Sequence, residues 1–142
     1  MLITILKITL ISVSITNLMF IVNNQRITEQ KNALKNAINL GIAMQLTNIA
    51  RDVSEDNTKN RKYIESNFTS IRNTLTIADS FYKSSFLSIS DIPISYRFAI
   101  LVARRVYRQI GNNILSKKNI ENYNKSGKIY VSSFGKFFQT IL

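Results

Sequence analysis

Cysteine and histidine are both missing from this 142-residue chain. Their absence removes disulfides, thiolate zinc sites, Cys or His nucleophiles and every Ser-His-Asp arrangement. Any catalysis must therefore run on carboxylates, hydroxyls, amides, cations or a bound metal. A chain without cysteine fits a reducing, cytoplasmic setting. Proline occurs once and glycine four times. With so few breakers, and apolar residues at helical spacing almost throughout, the expectation is an all-α helical bundle in a single domain over residues 1–142. Acid is also scarce: eight Asp and Glu against nineteen Lys and Arg give a net charge of +11. The imbalance is concentrated after residue 100, where eight cations face one anion. A solvated basic face, a phosphate-bearing ligand or an anionic membrane surface each accounts for that bias. Nucleic acid is not expected, because no reading helix, zinc finger or aromatic RNA-binding motif accompanies the charge.

The spacing predicts about five helices, over residues 3–23, 28–56, 66–90, 94–116 and 131–141. They are separated at "VNNQRIT", "DNTKNRKY", Pro93 and the polar stretch "NYNKSGK", where Gly127 suits a left-handed turn. The first 22 residues, "MLITILKITLISVSITNLMFIV", are long and apolar enough to span a bilayer. Lys7, Asn17 and several hydroxyl residues interrupt them, and no small-residue cleavage site follows. A buried helix of the bundle is the favoured expectation, and a membrane-associated one the alternative.

The scarce acid is not evenly spent. "QLTNIARDVSED", residues 45–56, holds three of the eight carboxylates. At 100° per residue, Gln45, Asn48, Asp52 and Asp56 fall within about 80° of one another, a single polar row on a helix. Leu34, Ile38, Ile42, Leu46, Ile49 and Val53 supply apolar packing around it. Carboxylates and amides beside apolar groups cost several kcal/mol unless neutralised. A hard divalent cation does this well, since magnesium takes oxygen ligands and keeps positions for water and phosphate. Arg51, on the flank, can take a phosphate oxygen or pair with Asp52 or Glu55. A solvated helix end carrying an ordinary Arg/Glu/Asp cluster is the competing reading. Of the aromatics Phe81, Tyr82, Phe86, Phe98 and Tyr107, any could line an apolar pocket or simply pack in the core. Arg104 and Arg108, one turn apart, could cradle an anion or face water.

"NLGIAMQLTNIARDVSED" resembles the second aspartate-rich motif of the squalene and phytoene synthase family, the head-to-head prenyl transferases, and is most similar to the bacterial phytoene synthases. "SITNLMFIVNN" before it, "NRKY" after it, the "LTIADSFYKSSFLSISDIPISYRFAILVARRVYRQIGNNIL" segment and the basic "GKIYVSSFGK" follow the family's order. The resemblance implies a partial isoprenoid synthase fold, its C-terminal half. It also implies magnesium-dependent condensation of two prenyl diphosphates, geranylgeranyl or farnesyl, in carotenoid or other isoprenoid biosynthesis. It assigns Asn48, Asp52 and Asp56 to metal binding. It assigns Gln45, Arg51, Tyr107 and Lys128 to the substrate diphosphate, Lys128 standing where the family has an arginine, a point charge in place of a bidentate fork.

The sequence also departs from the family. The N-terminal half, with the first aspartate-rich motif, is expected to be missing, and outside residues 52–56 no two carboxylates stand four apart. "IESN" replaces the family's proline segment, and the stretch from Tyr63 to Leu75 is shorter than usual. Three expectations follow: a synthase-like chain needing a separate N-terminal half, a non-catalytic helical interaction module, and a small basic membrane-anchored protein.

Overall fold

The computed structural model describes residues 27–87, 89–92, 94–132 and 135. Among them are five α-helices and no strand: α1 Ile27–Arg51, α2 Val53–Thr58, α3 Phe68–Ser85, α4 Ile94–Leu115 and α5 Ile120–Lys125, with a 3-10 turn at Ile89–Asp91 between α3 and α4. The chain is all-α over these residues, as its composition requires. The helix expected over residues 3–23 lies outside them. No helix among the described residues is long and apolar enough to cross a membrane.

α3 begins where Asn67, in an extended conformation, accepts the Ser70 amide at 2.8 Å, an N-cap that meets one of the unpaired first-turn donors. It runs antiparallel to α1: Asn39 bonds Ser84 near one end, and the Thr47 hydroxyl pairs with Tyr82 Oη at 3.0 Å further along. Apolar residues at three- and four-residue spacing then meet in two cores. One holds Leu40, Ala43, Ala78 and Tyr82. The other joins Ala50, Val53, Ile71, Leu75, Ile110, Ile114 and Tyr123 with Ile129 and Val131. Tyr107 of α4 packs against both.

Four expected boundaries need correction. The helix predicted over 28–56 breaks at Asp52, and α2 resumes at Val53. The helix predicted over 66–90 stops at Ser85, where Ser85 Oγ returns to the Tyr82 carbonyl and the chain turns into the 3-10 segment. The stretch read as a loop around residues 122–128 is partly helical: Asn119 caps the short α5 by accepting the Asn122 amide at 2.8 Å. Of the helix expected over 131–141, Val131 and Ser132 are not helical while Gly135 is, and the remainder lies outside the described residues. Gly127 does take the left-handed conformation, φ +60°, at little steric cost because it has no Cβ. Beyond it Ile129 and Val131 are buried while Lys128 and Tyr130 are exposed, the alternation of an extended segment laid on a core.

Candidate site at the α1–α2 junction

Although the helix breaks at Asp52, the row of oxygen donors survives. The Asp52 amide donates to the Asn48 carbonyl at 2.9 Å, and the Asp56 amide to the Asp52 carbonyl at 2.8 Å. These four-residue steps keep Asn48, Asp52 and Asp56 one above another along the break. Asn48 Oδ1 is shut off from solvent and has no hydrogen-bond partner, which costs about 1–3 kcal/mol. The Asp56 carboxyl is pushed up from its ordinary value, first by burial and then by the negative charge of Asp52. An orphaned amide oxygen beside two mutually repelling carboxylates fits a hard divalent cation better than it fits water alone. Among the described residues no three acidic side chains gather as a metal cluster. The donor set is two carboxylates and an amide, and a bound phosphate would have to complete it.

The other side of Asp52 faces cations. Arg51 Nε and Nη2 each donate to one Asp52 carboxylate oxygen at 2.8 Å, a bidentate pair that is largely buried and that raises the guanidinium's affinity for its proton. Lys128 Nζ lies 2.8 Å from Glu55 Oε2 and 3.6 Å from Asp52 Oδ1. Arg51, Asp52, Glu55 and Lys128 share the wall of a 320 Å³ cleft with Tyr123 and Gly127. The extended segment after Gly127 puts Lys128 there, since burying Ile129 and Val131 turns the intervening residues outward. Tyr107 and Tyr130 both lie close enough to influence the Arg51 charge. Tyr130 was not singled out from sequence, although the alternation in "KIYV" was a usable signal. Gln45, Asn48, Asp56 and Tyr107 stand outside the cleft wall. Gln45 is half-buried on α1, three residues before Asn48.

From the sequence, Glu55 is an alternative partner for Arg51. The structure gives it to two lysines, Lys128 and Lys59, and their bonds pull its carboxyl down to about 2, Lys128 contributing most. The depressed value means that the carboxylate stays ionised until pH falls from the ordinary range through about 2. Lys128→Ala is expected to raise the Glu55 value substantially while Lys59 still holds it below 4.5, a shift readable by carbon-detected NMR titration.

Several other candidates have different work. Arg108 donates twice to Asp79 Oδ1, at 2.6 and 3.0 Å, and Arg104 donates to the Tyr82 carbonyl and lies over the Phe86 ring. The two therefore do not form one anion cradle. Tyr82 is a core residue, 2% exposed, whose buried hydroxyl is paired with Thr47. Phe86 and Phe98 are exposed on the surface.

Helices that run antiparallel, a broken helix carrying a row of oxygen donors, and cations facing the same carboxylates describe an all-α protein with a charged cleft at its α1–α2 junction. The squalene/phytoene synthase family model matches residues 14–66, the portion that contains Gln45, Asn48, Arg51, Asp52 and Asp56. The chain is also similar to the 15-cis-phytoene synthase of Paracoccus sp., 33% identical over 99 residues that cover 57% of this chain and 33% of the relative. It is similar to the 15-cis-phytoene synthase of Enterobacter agglomerans, 29% identical over 103 residues, 58% of this chain and 35% of the relative. It resembles the phytoene synthase of Pseudescherichia vulneris too, at 33% identity over 99 residues, 55% of this chain and 32% of the relative. No solved structure matches. Over this portion the chain resembles the squalene/phytoene synthase family, and it spans about a third of the length of the curated relatives that it matches.

Proposed function

We propose that this chain supplies one wall of a magnesium-dependent prenyl transferase site of the phytoene synthase type, acting on the diphosphate end of a geranylgeranyl or farnesyl substrate. The observation that carries this reading is the row Asn48, Asp52, Asp56, with its unpartnered buried amide oxygen and its two carboxylates in mutual repulsion. Asn48, Asp52 and Asp56 would hold magnesium, which when bound supplies a Lewis acid for charge growing on a departing pyrophosphate.

The chain's own residues bind and orient. Arg51 brings a planar fork of the kind that matches two phosphate oxygens, and Asp52 occupies that fork until a phosphate competes for it. Lys128 adds a point charge on the same cleft wall, beside Asp52 and Glu55. Tyr107, packed between the two cores, stands near Arg51 with its ring fixed. A cleft of 320 Å³ accommodates a diphosphate and not two prenyl chains. The reading therefore needs a second wall, with a first aspartate-rich motif, and proposes an N-terminal synthase half as the partner that supplies it.

One observation favours a second reading. Asp52 already has Arg51 and Lys128 as partners, and a self-neutralised cluster of this kind also serves a non-catalytic helical module. Incubation with magnesium and geranylgeranyl or farnesyl diphosphate separates the two, with the chain alone and with a co-expressed N-terminal half. The transferase reading expects hydrocarbon product and released pyrophosphate in the mixture, dependent on magnesium. Absence of product in the mixture, with no magnesium-dependent change in this chain's melting temperature, would leave the helical module.

A further inference from the structure

Tyr123 is 3% exposed and comes from α5, a helix 70 residues away in sequence from the metal row. Its hydroxyl lies 3.0 Å from the Ala50 carbonyl and 2.7 Å from the Arg51 carbonyl, the last acceptors of α1. The same oxygen is approached by the Val53 and Ser54 amides, the first donors of α2. In an unbroken helix the Ser54 amide would bond the Ala50 carbonyl. The phenol oxygen lies against this turn, bonded to the Ala50 and Arg51 carbonyls and close to the Val53 and Ser54 amides. A side chain inserted into the helical ladder is one of the few recognised causes of a sharp kink, and the kink falls at Asp52. Ser54 Oγ donates to Asn124 Oδ1 at 2.7 Å, so α5 grips α2 on the adjoining residue as well. No proline or glycine stands at residues 50–54 to explain the break otherwise.

We infer that Tyr123 is a positioning residue: its hydroxyl wedges α1 and α2 apart at Asp52, and so sets where the Asp52 and Asp56 carboxylates point relative to Asn48. The inference rests on the proposed metal site for its functional meaning, and on the wedge alone for its structural content. The geometry makes the wedge removable at low cost to the core. Phenylalanine keeps the ring that packs with Val53, Ile71, Ile114 and Ile129 and deletes only the oxygen.

The experiment is Tyr123→Phe in the full chain, read in two ways. Carbon and amide NMR shifts at Asp52, Val53 and Ser54 are expected to move toward continuous-helix values, while amides around Ala78 and Tyr82 in the other core stay in place. Manganese, used as a paramagnetic probe for the magnesium site, is expected to bind at least tenfold more weakly than to the unsubstituted chain at unchanged helical content. Unmoved junction shifts overturn the wedge, and moved shifts with equal manganese affinity overturn the positioning role. If the unsubstituted chain binds no manganese, the proposed metal site fails, and the junction shifts still decide the wedge. Should Tyr123→Phe not fold, Asn124→Ala, at an exposed position, loosens the same contact. It is expected to move the Val53 and Ser54 amides in the same direction, and an unaltered junction would overturn the inference.

Discussion

Asp52→Ala is expected to abolish magnesium-dependent binding of pyrophosphate while leaving, or even improving, its magnesium-independent binding. The two effects come from one carboxylate doing two things. In the row with Asn48 and Asp56 it is the middle residue, so its loss removes the central carboxylate while the backbone steps between the three remain. A site reduced to one carboxylate and one amide retains little hold on a strongly hydrated cation. Toward the cleft, the same carboxylate occupies both bonding nitrogens of Arg51 and attracts Lys128. Deleting it releases the guanidinium fork for an incoming phosphate, and hydrogen bonds to charged groups are worth about 1.5–3 kcal/mol each. Isothermal titration with pyrophosphate, with and without magnesium, reads both effects. Magnesium should tighten binding at least 100-fold in the unsubstituted chain and have no effect in Asp52→Ala. A variant that still responds to magnesium would show that the metal is held elsewhere.

Ile114→Ala should cost about 3–4 kcal/mol of stability and lower the melting temperature by roughly 10 °C. Ile114 is fully buried in the core that joins Ala50, Val53, Ile71, Leu75, Tyr123 and Val131. The truncation removes three methyl or methylene groups in a place enclosed from four directions, so little can collapse inward. Nearby α3 and α4 already meet closely, with a Cβ at Gly111 placed 3.4 Å from Leu75 Cδ2. This core carries the site's supports: Ala50 and Val53 flank the junction, Tyr123 fills it, and Ile129 and Val131 anchor the segment that presents Lys128. Thermal unfolding monitored by circular dichroism measures the loss. A change under 1 kcal/mol would mean that the second core does not hold α4 against α1 and α3 as described.

Periodicity gave the helices because an amphipathic helix writes its buried face at three- and four-residue intervals, as Ala37, Leu40, Ala43, Thr47 and Ala50 do in α1 and Ile71, Thr74, Leu75, Ala78 and Tyr82 in α3. What periodicity could not give was the break at Asp52. Nothing local stops the helix there, for Arg51, Asp52 and Val53 are ordinary helical residues. The cause is a tyrosine hydroxyl arriving from α5, and a contact over 70 residues leaves no mark at either end. The missed α5 has the same explanation in part. "NIENYNK" has the Asn cap, the partly buried Ile120 and the buried Tyr123 of a short helix, but its Asn-rich composition reads as loop.

The candidate site divides similarly. Asn48, Asp52 and Asp56 were legible from spacing and motif, because a row at four-residue steps is a local property. Lys128 was legible from resemblance alone, since only the tertiary turn at Gly127 brings it to Asp52. The engagement of Glu55 by two lysines and the separation of Arg104 from Arg108 were not legible. Charged side chains on neighbouring turns have several partners within reach, and packing chooses among them.

Calorimetric titration of the intact chain with magnesium in the presence of pyrophosphate, repeated on Asn48→Ala, reaches the central claim most directly. Asn48 has no ion pair to lose, so the substitution removes the amide that carries the orphaned oxygen of the row without unpairing a charge. The account predicts saturable magnesium binding by the intact chain and at least tenfold weaker binding by Asn48→Ala, with the melting temperature of the metal-free variant equal to or above that of the parent. Equal magnesium affinity in the two proteins, or no binding by either, would contradict it.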